Sequence, residues 1–131
     1  MDEKRLILHI DDEVEILELV SEILKHPQLN FLAATDGPEG LRLAAERHPD
    51  LILLDIMLPD MDGREVYQHL RASPATASIP VIMLTAKSRP YEVIRARAIE
   101  GLGGYIGKPF DVQKLRAEIQ EKLGITYARA N

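Results

Sequence analysis

Five residues stand where short apolar runs stop. Asp11 and Asp12 follow residues 6–10, Asp55 follows 51–54, Thr85 follows 81–84, and Lys108 comes just after Tyr105-Ile106. Three carboxylates and one ammonium sum to −2, and such a cluster repels itself unless something positive joins it. Hard oxygen donors with no His or Cys nearby favour Mg2+ or Mn2+ over zinc. A hard cation, a carboxylate, a hydroxyl and a lysine together suit phosphoryl transfer. The cation and the lysine neutralise equatorial oxygens while a carboxylate attacks phosphorus, giving an acyl phosphate on an aspartate.

That chemistry requires the five residues to share one edge of the fold. The apolar pattern supplies the means, because its period switches repeatedly. Residues 6–10, 51–54 and 81–84 are short apolar runs of the buried-strand kind, 30–34 is a weaker strand, and Tyr105-Ile106 sits in a short fifth. Between them lie helical patterns. The first carries Val14, Ile16, Leu17, Val20, Ile23 and Leu24 over about fourteen residues, with Asp12 placed to cap it and Pro27 to end it. The second opens at Asp36-Gly37-Pro38 and runs to about His48. The third follows the 59–63 loop, carries Val66, Tyr67 and Leu70, and breaks at Ser73-Pro74. The fourth covers 88–99, and the last carries Val112, Leu115, Ile119 and Leu123 before a Gly124 cap. Residues 125–131 read as a frayed tail. Five strands alternating with five helices predict an α/β fold with a doubly wound parallel sheet, covered on both faces. In such sheets ligands bind beyond the carboxyl ends of the strands, where the five residues fall.

The 131-residue length fits one domain, predicted at 1–124 with the tail at 125–131. A net charge of −5 argues against sequence-blind nucleic-acid binding, which needs a basic face, so no direct nucleic-acid partner is expected. The absence of Cys excludes a disulfide framework, a thiolate zinc site and a cysteine nucleophile. Five residues before Asp11 are too short for a signal-peptide core, and no stretch approaches the ~18 apolar residues of a membrane span. A cytoplasmic protein without a membrane partner is expected.

Each residue alone also has a plainer reading. Asp11-Asp12 could be a helix cap and a solvated acid, Thr85 a strand-end residue, Lys108 a surface charge, and Tyr105 half-buried packing. His9 reads as a packed or hydrogen-bonded histidine, while His26, His48 and His69 read as solvated. Arg95-Ala96-Arg97 reads as an exposed helix face. The weight of the five lies in their joint placement.

Four stretches closely resemble the receiver domains of two-component response regulators of the chemotaxis-regulator type. They are Leu8-His9-Ile10-Asp11-Asp12-Glu13, Asp55-Ile56-Met57-Leu58-Pro59-Asp60-Met61-Asp62-Gly63, Leu84-Thr85-Ala86 and Lys108-Pro109-Phe110. The likeness extends over residues 5–123, and four motifs in order are far more specific than any one. It implies a flavodoxin-like five-stranded (β/α)5 sheet in the order 2-1-3-4-5. It also implies a role at each matching position. Asp55 would be the phosphoacceptor. Mg2+ (Mn2+ as a substitute) would be held by Asp12, Asp55 and the Met57 backbone carbonyl, with Asp11 acting through water. Thr85 and Lys108 would bind the phosphoryl group, Tyr105 would be the switch aromatic, and the bond before Pro109 would be cis. The implied partners are a histidine kinase or phosphotransfer protein upstream and a protein target downstream. The target would dock on the surface of the fourth helix, fifth strand and fifth helix. A monomer is favoured before phosphorylation. Met57 and Lys87, each two residues past a site residue, would tune the lifetime of the phosphate, with slow self-hydrolysis expected.

The sequence departs from the family at His9, where a small apolar residue is commoner, and at Gly107, where Thr or Ser is usual. The stretch 101–104 also lacks the acidic pair often found before the switch aromatic, which puts a dimer through that face in doubt. Three other functions compete. A haloacid-dehalogenase-type phosphatase needs a second aspartate where Met57 stands. A flavin-binding electron carrier of the same topology would have its phosphate repelled by the aspartates. A third alternative is an interaction module that keeps the fold without phosphorylation. The chain would be a stand-alone receiver or a receiver cut from a larger regulator or hybrid kinase.

Overall fold

Nine elements follow one another in the residues described by the computed structural model, which are 4–86, 104–108 and 111–127, with only the backbone at 85, 86 and 104–108. The strands are β1 (Arg5–Ile10), β2 (Leu29–Ala34), β3 (Leu51–Asp55), β4 (Val81–Ala86) and β5 (Gly104–Lys108). The helices are α1 (Val14–Ile23), α2 (Gly37–Arg47), α3 (Gly63–Ala72) and a C-terminal helix (Val112–Leu123). The predicted 88–99 helix, Lys87, Pro109 and the Arg95-Ala96-Arg97 stretch lie outside the described residues.

All strand pairs are parallel, in the order β2-β1-β3-β4-β5. This is the α/β, flavodoxin-like order that the sequence implied. Alternation along each strand loads both faces of the sheet. Leu8, Ile10, Ile52, Leu54, Val81 and Met83 join Ala44 of α2 and Val66, Tyr67 and Leu70 of α3 in one buried layer. Ile7, Leu51, Leu53, Ile82 and Leu84 pack on the other side with Val20 and with Leu115, Ile119 and Leu123 of the C-terminal helix. Residues 51–54 of β3 and 81–84 of β4 therefore run apolar without polar alternation, because neither face of these inner strands meets water.

The helix ends correct two expectations. Asp12 does not cap α1: the N-cap is Glu13, with no side-chain hydrogen bond. The Glu13 N–H instead donates to Asp11 Oδ1 at 3.0 Å, so the first acid turns the chain and the second is left exposed. The helix is also ten residues long rather than about fourteen. Pro27 disfavours helical backbone at the residue before it, and the helix unwinds from Leu24. In contrast, Asp36, Asp62 and Asp111 each accept backbone N–H groups as N-caps of the other three helices.

Residues 125–127 are not frayed. Gly124 turns the chain at φ 67°, and Ile125 then joins the core beside Leu24. The Tyr127 N–H donates to Gln120 Oε1 at 2.7 Å, and its hydroxyl donates to the Leu24 carbonyl left without a helical partner at the end of α1. The Arg116 guanidinium lies 5.3 Å from the Tyr127 ring centroid and donates from Nε to the Ile23 carbonyl at 2.9 Å. His26, expected to be solvated, stands edge-on to the same ring at 5.2 Å, with Nε2 2.9 Å from the Thr126 carbonyl. His48 and His69 are exposed, as expected.

Burial pushes the Tyr127 phenol from 10.0 up to about 12, partly offset by Arg116. The protonated hydroxyl thus stabilises the fold below about pH 10, and this contribution is lost as pH rises through about 12. Tyr127→Phe is expected to lower stability by about 1 kcal/mol near neutral pH. It should also remove that alkaline phase from urea melts recorded as a function of pH.

Candidate functional site

The parallel ladder gathers the sequence-predicted residues on one edge. Ile10 pairs with Leu54, Asp55 with Leu84, Thr85 with Gly107, and Ala86 with Lys108. Backbone bonds carry the ladder past the strands, from Asp11 N–H to the Ala34 carbonyl at 3.0 Å and from Ile56 N–H to the Leu84 carbonyl at 3.2 Å. Thr85 therefore stands one residue beyond the partner of Asp55, and Lys108 ends the neighbouring strand. Tyr105 pairs with Met83.

Asp11, Asp12 and Asp55 each offer an oxygen, and these atoms all lie within 4.8 Å of one another. Asp11 is fully buried, Asp55 is 4% exposed and Asp12 faces solvent. At such separations, like charges oppose each other by roughly 3 kcal/mol per pair at an effective permittivity of ~20. A cation between the three oxygens would offset that repulsion. The donors are all oxygen, and the spacing is on the scale of one hard-cation shell, whose opposite ligands stand about 4.2 Å apart. The acidic pocket fits Mg2+.

The backbone aims two of the carboxylates. Asp11 Oδ1 accepts the Glu13 N–H, and Asp55 Oδ1 accepts the Met57 N–H at 3.2 Å. Met57, 41% exposed, presents an apolar side chain to solvent two residues beyond Asp55. Two contributors were missed from sequence. A Cβ on Gly63 would lie 2.4 Å from the Asp55 carbonyl oxygen and 2.7 Å from Ile56 Cα, so only glycine lets the start of α3 close on the strand end. The Gly63 N–H also donates to the Ile56 carbonyl at 2.8 Å. Its signal in the sequence was a glycine at the first helical position, directly after the Asp62 cap. The second is His9, buried as expected, but with Nε2 only 3.8 Å from Asp11 Oδ2.

A parallel sheet in this order with an acidic carboxyl edge defines a class, and the comparisons agree with it. Residues 7–120 match the response regulator receiver domain, and the chain belongs to that family, a signalling module of two-component systems. Among curated proteins it is 43% identical over 117 residues to the DNA-binding dual master transcriptional regulator RpaA of Synechocystis sp., covering 89% of this chain and 48% of that protein. It is 36% identical over 117 residues to the alkaline phosphatase synthesis transcriptional regulatory protein PhoP of Bacillus subtilis, with the same coverage of 89% and 48%. The chain thus spans about half the length of the curated relatives it matches.

Among solved structures, a response regulator from Chloroflexus aurantiacus superposes with TM-score 0.85 at 27% identity, covering 94% of this chain and 100% of that one. The chemotaxis response regulator CheY4 of Vibrio cholerae gives 0.80 at 29% identity, covering 92% and 99%. The receiver domain of sensor histidine kinase PA1611 from Pseudomonas aeruginosa, solved with a magnesium ion coordinated in its active-site cleft, gives 0.79 at 26% identity, covering 93% and 99%. No helix among the described residues is long and apolar enough to cross a membrane.

Proposed function

We propose that this receiver takes a phosphoryl group on Asp55 from a histidine kinase or phosphotransfer protein in a Mg2+-dependent reaction. The observation that carries the reading is the convergence of Asp11, Asp12 and Asp55 within 4.8 Å at the carboxyl edge of the sheet. An Asp55 carboxylate oxygen attacks phosphorus, the bond to the donor imidazole nitrogen breaks, and the imidazole leaves with its electron pair. The product is an aspartyl acyl phosphate. Asp12, Asp55 and the Met57 carbonyl would hold the ion, with Asp11 helping through water. When bound, Mg2+ (or Mn2+) offsets the charge of the carboxylates and of the incoming phosphoryl oxygens.

The same reading assigns Thr85 to donate a hydrogen bond to the phosphoryl group and Lys108 to pair with it. Charge-assisted hydrogen bonds contribute about 1.5–3 kcal/mol each. Two of them are of the order of the ~5.5 kcal/mol that swings a population from 1:99 to 99:1. Movement of Thr85 leaves room for Tyr105 to turn inward. That turn alters the surface of the 88–99 segment, β5 and the C-terminal helix, on which the downstream protein docks. The apolar Met57 orients no attacking water, and Lys87, two residues past Thr85 in the sequence, would add positive charge, so the acyl phosphate would hydrolyse slowly. The direct partners are proteins in the cytoplasm, a reading supported by the −5 net charge. Where a receiver of this kind is joined to a DNA-binding unit, as in relatives whose names describe DNA binding, the switched surface governs that unit.

Titration with Mg2+ is the direct test. Millimolar Mg2+ is expected to shift the backbone amide signals of Asp11, Asp12, Asp55 and Met57. Undisturbed spectra would end the metal-dependent reading.

A further inference from the structure

We infer that β2 is a self-pairing edge: two copies of this chain join antiparallel through it, about a two-fold axis beside Phe31, into one continuous sheet. β2 ends the sheet order, so the outer side of its backbone meets no strand among the described residues. Edge strands are usually blunted by charge, proline or a bulge. β2 reads Leu29-Asn30-Phe31-Leu32-Ala33-Ala34, with neither a charged residue nor a proline, and it pairs with β1 residue for residue without a bulge. Asn30 and Ala33 are exposed. In a parallel ladder, alternate residues of a strand turn both their N–H and their carbonyl to one neighbour. Arg5 N–H donates to the Gln28 carbonyl at 2.8 Å and Asp11 N–H to the Ala34 carbonyl at 3.0 Å, so the even-numbered residues of β2 point toward β1. Leu29, Phe31 and Ala33 point outward. The Leu29 N–H is taken by the His26 carbonyl at 3.0 Å, which leaves the Leu29 carbonyl and both groups of Phe31 and of Ala33. An antiparallel copy can bond only in registers that set odd residues opposite odd ones. With Phe31 opposite the partner's Phe31, that pair exchanges both bonds and each Ala33 N–H reaches the partner's Leu29 carbonyl, leaving the Ala33 carbonyl to water.

The groove between α1 and β2 selects this register and this partner. Two hollows open along it. One, of about 310 Å3, is lined by Val14, Leu17, Glu18 and Ala33 among others, and the second, of about 390 Å3, by Lys4, Glu22, Lys25 and Leu29 among others. Ser21 and Phe31 line both, so they mark the middle of the groove. A two-fold axis through that middle lays the Glu18 end of one copy on the Lys4 and Lys25 end of the other. Glu22 weakens the positive end without reversing it. Among the described residues no ion pair engages Glu18, Lys4 or Lys25. The groove is thus complementary to itself, the condition for a two-fold interface, and its occupant is a second copy. The partly buried Phe31 rings meet as a cross-strand aromatic pair on the α1 side. The axis is perpendicular to the sheet, so the carboxyl edges of the two copies point in opposite directions and both acidic sites stay open. Pairing needs neither Mg2+ nor phosphate, and it departs in this from the monomer that the resemblance favours before phosphorylation.

Sedimentation and amide hydrogen exchange, without Mg2+ or a phosphoryl donor, test the pairing. The dimer fraction of the native chain is expected to grow with concentration, and exchange at Phe31 and Ala33 to slow as it does. Asn30 and Leu32, whose N–H groups already point to β1, should change much less. Ala33→Pro removes an outward donor at a place where an edge strand tolerates proline. It is expected to weaken association about 10-fold, since two backbone bonds per dimer are lost. Lys25→Glu and Glu18→Lys should each weaken it about fivefold, and the chain carrying both should recover. Urea melts report on the fold of each variant, and if Ala33→Pro fails to fold the charge exchange decides the matter. A native chain that stays monomeric up to roughly 1 mM would overturn the inference. So would association that leaves exchange at Phe31 and Ala33 unchanged, native-like association of Ala33→Pro, or a doubly exchanged chain no better than the single variants. None of these outcomes bears on the Mg2+ reading, because the samples contain no Mg2+.

Discussion

Asp55→Asn is expected to reduce labelling by acetyl phosphate in the presence of Mg2+ to background. The amide is nearly the same size as the carboxylate, and its Oδ1 still offers an acceptor to the Met57 N–H. The nucleophilic oxygen is gone, and one of the three charges within 4.8 Å goes with it. Two consequences should appear together. Labelling disappears, and the unfolding free energy without Mg2+ rises as the like-charge pairs involving Asp55 are removed. The native chain should gain stability from Mg2+ as binding is linked to folding, and the variant should gain much less. Labelling by mass and urea melts with and without Mg2+ check both arms. Retained labelling at another residue would move the acceptor away from Asp55.

Gly63→Ala should be the most damaging small substitution outside the carboxylates. An added methyl would stand 2.4 Å from the Asp55 carbonyl oxygen and 2.7 Å from Ile56 Cα, and both are backbone atoms that cannot rotate aside. Overpacking of this kind costs about 1–3 kcal/mol and sometimes more. Alanine's better helix propensity returns at most about 1 kcal/mol. A net loss of about 2 kcal/mol in urea melts is expected, with weaker Mg2+ binding because the end of β3 must shift. Gly124→Ala is the informative contrast. Gly124 has φ 67° and nothing within 4 Å of an added Cβ, so its cost is conformational strain of about 1 kcal/mol with no effect on the site. Equal losses in the two variants, or unchanged Mg2+ binding in Gly63→Ala, would contradict the close-approach argument.

What could be read beforehand follows from how local the information is. The alternation of short apolar runs with helical periods is written residue by residue, and so the parallel sheet and the acids at its carboxyl edge were legible, while the strand order followed only from the resemblance of four motifs to receiver domains. Asp11 and Asp12 are a different case. Both residue types suit a cap, and only the path of the backbone decides that the Asp11 carboxylate receives the Glu13 N–H while Asp12 faces water. Residues 125–127 resembled a tail because the partners of Tyr127 and Thr126 include Leu24 and His26, at the other end of the chain. Gly63 appeared to be an ordinary loop-to-helix glycine until the backbone of Asp55 was found against it.

From its sequence alone, then, this protein was settled as an alternating α/β chain carrying carboxylates at strand ends, since side-chain chemistry and periodicity are properties of neighbours along the chain. The tertiary structure alone decided that three of those carboxylates meet within 4.8 Å, that two of them are buried, and that an imidazole stands beside one. Distances between segments remote in sequence are set by ladder register and by the packing of helices on both faces, and no local pattern encodes them.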